Sequence, residues 1–350
     1  MQAALACHKQ VDDQAQSVSV VIPTFNRREL LRRVIGSVLQ DPTTAEVVVV
    51  VDGSNDGSVE LLDRLARAEP RVKALFTEHR GLNAAVQAGV ERATSDIVLI
   101  LDDDLEAMRG LVTAHARHHS AAPNLVVLGY SPIAKLGAAG AKGLTASLYG
   151  EAYERSCRSF EQRPQDILLN LYGGHMSIRR AECIRVGVYS AAFRERYHPD
   201  REFGIRCRKA GLVGRFDRSL VAHHYYNRSL SEFRSDSSSQ GAATALLHRL
   251  HPDVLGPIDP NCSAAGAPAA ARWIIFGSRV RPMHRVVSGA LVGIVWVLGP
   301  LHMASLQRNA AKLLARVEHQ RGLHDALQRG DVMPAAAPEE RGEMPTTPAS

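Results

Sequence analysis

Ile97-Val98-Leu99-Ile100-Leu101-Asp102-Asp103-Asp104 is the stretch on which the fold of this chain turns. An apolar run of strand length that ends in consecutive carboxylates reads as a buried parallel strand. Such a strand delivers its acids to the carboxyl edge of the sheet, where open α/β folds bind ligands. Three adjacent carboxylates repel one another, and a divalent cation ligated by oxygen is the least costly way to keep them ionised side by side. A solvated acidic loop is the competing account of the same triplet.

Upstream of this run, strands and helices alternate. Residues 17–22 (Ser-Val-Ser-Val-Val-Ile) form a β-branched strand stopped by Pro23-Thr24-Phe25-Asn26. Leu30, Leu31, Val34, Ile35, Val38 and Leu39 then recur with helical period, and Asn26 with Glu29 three residues later resembles a capping box. Residues 47–51 are a second buried strand, running into the turn Asp52-Gly53-Ser54-Asn55-Asp56-Gly57-Ser58 and a helix with Val59, Leu62, Leu65 and Ala66. A third strand at 72–76 and a helix at 81–93 return the chain to Ile97. This regularity means βαβ crossovers and a mostly parallel sheet. Parallel strands place their ends on one side, so Thr24, Asp52 and Asp102 to Asp104 are neighbours in space. The turn after the first strand lacks Gly-x-Gly-x-x-Gly, and no phosphate loop with Gly-Lys-Ser/Thr occurs, which disfavours dinucleotide and P-loop chemistry.

The 350 residues, 45% hydrophobic and 22% charged, are enough for one large α/β domain with added helices. A net charge of +6 comes from scattered basic residues without a long Lys/Arg block, so phosphate-bearing ligands or a membrane surface explain it and nucleic acid is not called for. Five cysteines without CxxC spacing indicate neither a zinc knuckle nor a disulfide framework, and residues 1–16 hold no apolar signal core. Both fit a cytoplasmic protein.

Val20 to Arg27, Val51 to Ser58, Gly81-Leu82-Asn83-Ala84-Ala85 and Leu101 to Asp104, in that order, resemble the nucleotide-sugar half of a family 2 glycosyltransferase with the GT-A fold. The resemblance implies that Pro23, Thr24, Asn26, Arg27, Asp52, Gly81, Asn83, Asp102 and Asp103 serve the donor. It places a divalent metal, Mn²⁺ or Mg²⁺, on the DXD acids Asp102 and Asp104. The family often has two acids before the Gly-Ser of the second motif; here the first place is Val51, leaving Asp52.

Residues 125–130 read as a further strand, 131–143 as a loop and 145–160 as a helix offering Tyr149, Tyr153, Arg155 and Arg158 to an acceptor or to solvent. Gly173 to Arg180 resembles the family's Gly-rich strand, putting Gly174 and His175 on the acceptor side. In His198-Pro199-Asp200-Arg201-Glu202-Phe203-Gly204-Ile205-Arg206, Pro199 suits a first helical position and Gly211 a C-cap. Asp200 then falls in the first turn, where the dipole favours its ionised form. The stretch resembles Glu-Asp-x-x-x-Gly-x-Arg, in which the Asp is the base of inverting transfer; Asp200 matches it, Pro199 replaces the Glu, and Glu202 is the rival base. Residues 213–222 read as a strand leading to His223 and His224. Strand alternation lets one of these reach the metal, His223 being preferred. Arg228 and Ser229 are candidates for the diphosphate.

Beyond residue 240 the composition shifts. Residues 259–271 read as a linker, 306–327 as an amphipathic helix and 331–350, like 1–16, as a disordered tail. Residues 286–304 are nearly free of charge but interrupted by Gly and Pro, with basic flanks; peripheral membrane contact is preferred over packing on the domain or on a second subunit. The chain thus divides into a GT-A domain at 17–240, with nucleotide-sugar (17–120) and acceptor (121–240) halves, and a helical extension at 241–330. The expected activity is metal-assisted, inverting transfer from a nucleotide sugar to a glycan, lipid-linked or small-molecule acceptor, of the kind used in cell-envelope polysaccharide synthesis. It would take place in the cytoplasm or at the inner membrane face, with room for a homo-oligomer. The alternatives are a sugar-phosphate nucleotidyltransferase and a non-catalytic nucleotide-sugar or glycan-binding scaffold.

Overall fold

The computed structural model describes residues 17–134, 140–190, 193 and 197–329. The two tails expected at 1–16 and 331–350 fall outside the described residues, as does part of the loop expected at 131–143. β4 (Ile97–Leu101) is buried along its whole length. It pairs in parallel with β1 (Val18–Thr24) on one side and antiparallel with β7 (His175–Arg179) on the other. β2 (Thr44–Asp52) and β3 (Val72–Thr77) continue the parallel half. β6 (Leu125–Tyr130), β8 (Val213–His224) and β5 (Leu105–Ala107) complete the mixed half, giving the order β3-β2-β1-β4-β7-β6-β8-β5.

Period-two alternation along β4 divides the core. Ile97, Leu99 and Leu101 pack toward α1 (Arg28–Leu39), α2 (Ser58–Ala68) and α4 (Leu111–Ala121), whereas Val98 and Ile100 pack toward α3 (Leu82–Arg92), α6 (Arg180–Val186) and α7 (Pro199–Lys209). β1 runs two residues past its expected end, through Pro23 and Thr24. Its β4 pairing stops at Val21, so Pro23 lacks an N–H only where one flank of the strand is already open. The capping box expected at Asn26 does not form. Asn26 instead takes a left-handed conformation (φ 53°) and exchanges hydrogen bonds with Ser54 and Asn55, while the carboxylate of Asp56 accepts the Arg28 N–H at 2.9 Å. A neighbouring loop thus caps α1, a partner that local spacing cannot reveal. α7 begins on Pro199 and ends at Gly211 (φ 83°), whose N–H bonds to Arg208 O while Leu212 N–H reaches Cys207 O, a Schellman closure.

The C-terminal helices form a second layer: α8 (Leu230–Leu250), α9 (Pro252–Leu255), α10 (Ala269–Gly277), α11 (Arg281–Leu298) and α12 (Ala304–Arg329). They share a core with Leu144 and Leu148 of α5 (Gly140–Gln162). Ser229 is taken up in a capping box with Glu232 at the start of α8, which corrects its expected diphosphate role. α8 runs unbroken across residue 240, so no chain break separates domain from extension. α8 and α12 meet through two glycines: a Cβ on Gly241 would stand 2.0 Å from His319 O, and one on Gly322 would stand 1.9 Å from Ser238 O. α11 is tied in by the buried Glu318 carboxylate of α12, which accepts from Ser288 (2.5 Å), Arg234 (2.8 Å) and His284 (2.9 Å).

Beneath β7 lies a buried polar network. His175 meets His115 (Nε2 to Nε2, 3.1 Å) and Ser131 (3.0 Å), and Ser177 meets both His115 and His119 at 2.8 Å. Burial pushes these imidazoles down, His119 to about 4 and His175 to about 3, and does the same to His198 (about 3) and His319 (about 4). A folded value below the unfolded one means that the stability contributed by a neutral imidazole is complete above about pH 6.5 and is lost as pH falls toward the folded value. Asp102 and Asp103, raised to about 7 by burial and mutual repulsion, act in the opposite sense. Five lowered imidazoles outweigh the three raised carboxyls Asp102, Asp103 and Asp200, so stability should fall as the pH drops below about 6.5. Urea midpoints of the ligand-free chain at pH 6.5 and pH 5 check this; a midpoint that holds or rises on acidification would refute it.

Candidate active site

Backbone hydrogen bonds place the acidic turn after β4. Asp102 N–H donates to Gly174 O at 2.8 Å, fastening the turn to the start of β7, and Tyr225 N–H donates to Asp104 O at 2.9 Å, fastening it to the end of β8. Both histidines at that end lie within β8, two residues beyond its expected limit, because β5 pairs with it: Leu105 opposes His224 and Glu106 opposes His223. Alternation along the strand therefore brings His224, not His223, to the acids, which corrects the preference for His223. His224 Nε2 is 3.5 Å from Asp104 Oδ1. Its buried Nδ1 has no hydrogen-bond partner among the described residues.

Each acid of the triplet has its own surroundings. Asp104 is opposed by burial, but His224, Arg27 and Arg228 outweigh that and hold it below the ordinary carboxylate value. Arg27 reaches its Oδ2 at 3.2 Å. Asp103 accepts a 2.7 Å hydrogen bond from Thr24, so this threonine supports the triplet directly. Asp102 presses on Gly174, whose missing Cβ would stand 2.1 Å from Asp102 Oδ2. The adjacent Gly173 is equally constrained: a Cβ there would stand 2.9 Å from the Cβ of Asp200, and its N–H donates to Asp200 Oδ2 at 3.1 Å. Asp102 and Asp200, ninety-eight positions apart in the chain, thus flank one pair of consecutive glycines. Burial raises Asp200, and the N–H groups of Gly173 and Arg201 with the Arg201 charge only partly offset it.

The remaining predicted residues are distributed around this centre. Asp52 is buried, accepting N–H bonds from Arg80 and Gly81 (both 2.8 Å) and a contact from His79 (3.0 Å), so it shapes the β3–α3 loop. His79 stacks on the half-exposed Phe25 at 4.3 Å. Asn83 donates to the carbonyls of Phe193 (2.7 Å) and Ser190 (3.3 Å). Two expectations are corrected outright. Glu202 is buried in a two-pronged pair with Arg206 (2.8 and 2.9 Å) and also meets His251 (3.2 Å), which leaves no oxygen for the work of a base. His175 lies in the buried network under β7 and not on an acceptor surface, because its register opposite Leu101 turns it to the α4 side. Tyr149, one of the four α5 side chains offered to an acceptor, belongs to an aromatic wall whose other member, Tyr226, the sequence does not single out. Tyr149 of α5 stacks on Tyr226 at 4.5 Å, and both meet the edge of His224 at 5.2 and 5.6 Å.

The donor set suits a hard divalent cation: carboxylate oxygens of Asp102 and Asp104 with one imidazole, repulsion that a cation would relieve, and an unpartnered His224 nitrogen. Among the described residues no three such side chains already converge on one point, so an ion there would draw further oxygens from its ligand.

Residues 19–186 match the model of Glycosyl transferase family 2. Asp200 and His224 lie outside the matched segment. An uncharacterized glycosyltransferase, YfnE of Bacillus subtilis, is 26% identical over 250 residues, covering 59% of this chain and 64% of that one. An undecaprenyl-phosphate 4-deoxy-4-formamido-L-arabinose transferase of Pseudomonas syringae is 42% identical over 95 residues, 25% of this chain and 28% of that one. The chain therefore covers less than two thirds of the length of these relatives. The mannosyltransferase PcManGT of Pyrobaculum calidifontis, solved with GDP-Man and Mn²⁺, superposes with a TM-score of 0.54 at 16% identity over 87% of both chains. GalNAc-T7, solved with UDP, GalNAc and Mn²⁺, gives 0.50 at 17% identity over 62% of this chain and 44% of that one. With its motifs in order on a mixed sheet of GT-A type, the segment 19–186 of this chain is a family 2 glycosyl transferase domain.

Proposed function

We propose that the chain transfers a sugar from a nucleotide-sugar donor to an acceptor hydroxyl with inversion, in the cytoplasm, with Asp200 as general base. The observation that carries this reading is the placement of Asp102 and Asp200 on the two faces of Gly173-Gly174, with Asp104 and His224 beyond. A donor diphosphate at the acidic turn and an acceptor hydroxyl at Asp200 would then meet around one sugar carbon. Arg27, already drawn to Asp104, is placed to meet phosphate oxygens, and the Phe25–His79 stack offers an aromatic face to a nucleobase. Tyr149 and Tyr226 close the side next to His224.

Asp102, Asp104 and His224 would hold a Mn²⁺ or Mg²⁺ ion, whose chemistry there is to neutralise charge on the leaving diphosphate. Asp200 accepts the acceptor proton as the new oxygen–carbon bond forms. The bond from the anomeric carbon to the phosphate oxygen breaks with its electron pair on the diphosphate. Burial raises the basicity of Asp200, and the two N–H donors fix its direction. The chain's similarity to undecaprenyl-phosphate 4-deoxy-4-formamido-L-arabinose transferases favours a lipid-linked acceptor. The free cysteines, Cys157, Cys183, Cys207 and Cys262 among the described residues, agree with a reducing compartment.

The test is nucleoside diphosphate release from a panel of nucleotide sugars with Mn²⁺ or Mg²⁺; release of diphosphate from a triphosphate plus sugar phosphate would favour nucleotidyl transfer instead. Asp200→Asn should lower turnover by about 10²–10⁴ with donor binding intact, and a variant that turns over normally removes Asp200 from the reaction. Asp104→Ala should weaken Mn²⁺-dependent binding of nucleoside diphosphate at least about tenfold, the cost of one charge-assisted contact; an unchanged titration removes it from the donor site. Glu202→Gln should cost on the order of 3 kcal/mol of stability by leaving Arg206 uncompensated, while turnover per folded molecule is kept. Loss of turnover at unchanged melting temperature would restore Glu202 as the base.

A further inference from the structure

Away from the acidic turn, the exposed apolar surface is gathered in one place. Of nineteen large hydrophobic residues exposed among the described residues, eleven lie between Trp273 and Leu306, in α10, α11, the start of α12 and the segments joining them. α11 buries only the stripe Ser288, Leu291 and Val295. Its outer side presents Val286, Trp296 and Val297 at 69%, 61% and 61% exposure. A helix apolar all round is ordinarily buried all round, and an exposed patch of this size marks a surface that something covers.

Charge identifies the cover. From Pro260 to Val317 the chain contains no Asp or Glu but seven Arg and Lys, with Arg281 and Arg285 exposed on the first turns of α11. Both tryptophans of the chain lie on this stretch, Trp273 at 78% exposure and Trp296 at 61%. Exposed Trp beside Arg is the composition that settles at a lipid headgroup boundary. No helix among the described residues is long and apolar enough to cross a membrane, and α11 is fastened to the fold through Ser288 and His284 on Glu318.

We propose that the face formed by α10, α11 and the start of α12 docks the chain on an anionic lipid bilayer. A second copy of the chain is the poorer occupant, since apposing two such faces sets the exposed Arg281 and Arg285 of one against those of the other. One helix, α5, joins the core beneath this face to the candidate site. Leu144 and Leu148 of α5 pack into that core, Lys312 of α12 pairs with Glu151 at 2.8 Å, and Tyr149 on the same helix meets His224.

The two tryptophans make the experiment direct, and it needs no turnover, so it stands apart from the reading of the acidic turn. Vesicles of mixed phosphatidylglycerol and phosphatidylcholine should shift the intrinsic fluorescence to the blue and carry the protein into the pellet. Pure phosphatidylcholine and high salt should each weaken this. Arg281→Glu/Arg285→Glu, and separately Trp296→Ser/Val297→Ser, should lower partitioning at least about tenfold with circular dichroism unchanged. The proposal is overturned by fluorescence and sedimentation that ignore the anionic vesicles, by equal binding to both lipid mixtures, or by lipid-free self-association that shields both tryptophans from a soluble quencher.

Discussion

Negative charge at the end of β4 is tolerated because the backbone holds it in place. Asp102 is hydrogen-bonded to Gly174 on one flank and Asp104 to Tyr225 on the other, so the acids cannot swing apart to relieve their repulsion. Relief comes instead from what surrounds them: Arg27 and His224 on Asp104, and the Thr24 hydroxyl on Asp103. Asp102 and Asp103 remain raised, which is the state a cation or a positively charged ligand would change.

Two glycines then decide what else reaches this point. Any side chain at Gly174 would displace Asp102, and any at Gly173 would strike the Tyr189 hydroxyl and crowd Asp200. Bare backbone at both positions lets a strand start, a strand end and a helix N-terminus share a few ångströms. The fold spends its other buried charges differently. Glu202 pairs with Arg206 one turn on within α7 and with His251, and Glu318 with Arg234 fastens α12 to α8, so both carboxylates are engaged structurally.

The helical layer is joined to the sheet through α5. One face of this helix enters the layer's core at Leu144 and Leu148, and Tyr149 completes the wall beside His224. The same helix thereby links the core beneath α10 and α11 to the wall beside the acids, and no helix among the described residues is long and apolar enough to cross a membrane.

The parallel half of the fold was written in local pattern. Apolar runs at β2, β4 and β6 are continuous because both faces are buried, and the helices between them repeat with the period of the side they bury, so order, type and convergence of the strand ends follow from residues alone. Asp102 to Asp104 and Asp200 were legible for the same reason, each standing at a recognisable strand end or helix start. Tertiary contact decided the rest. β5 has no pattern of its own and exists only by pairing with β8, and that pairing turns His224 inward and His223 away. Asn26 gave up its helix cap to a loop thirty residues on, Glu202 was claimed by Arg206 and His251, and His175 by His115, because each of those partners is distant in sequence and near only in the folded chain.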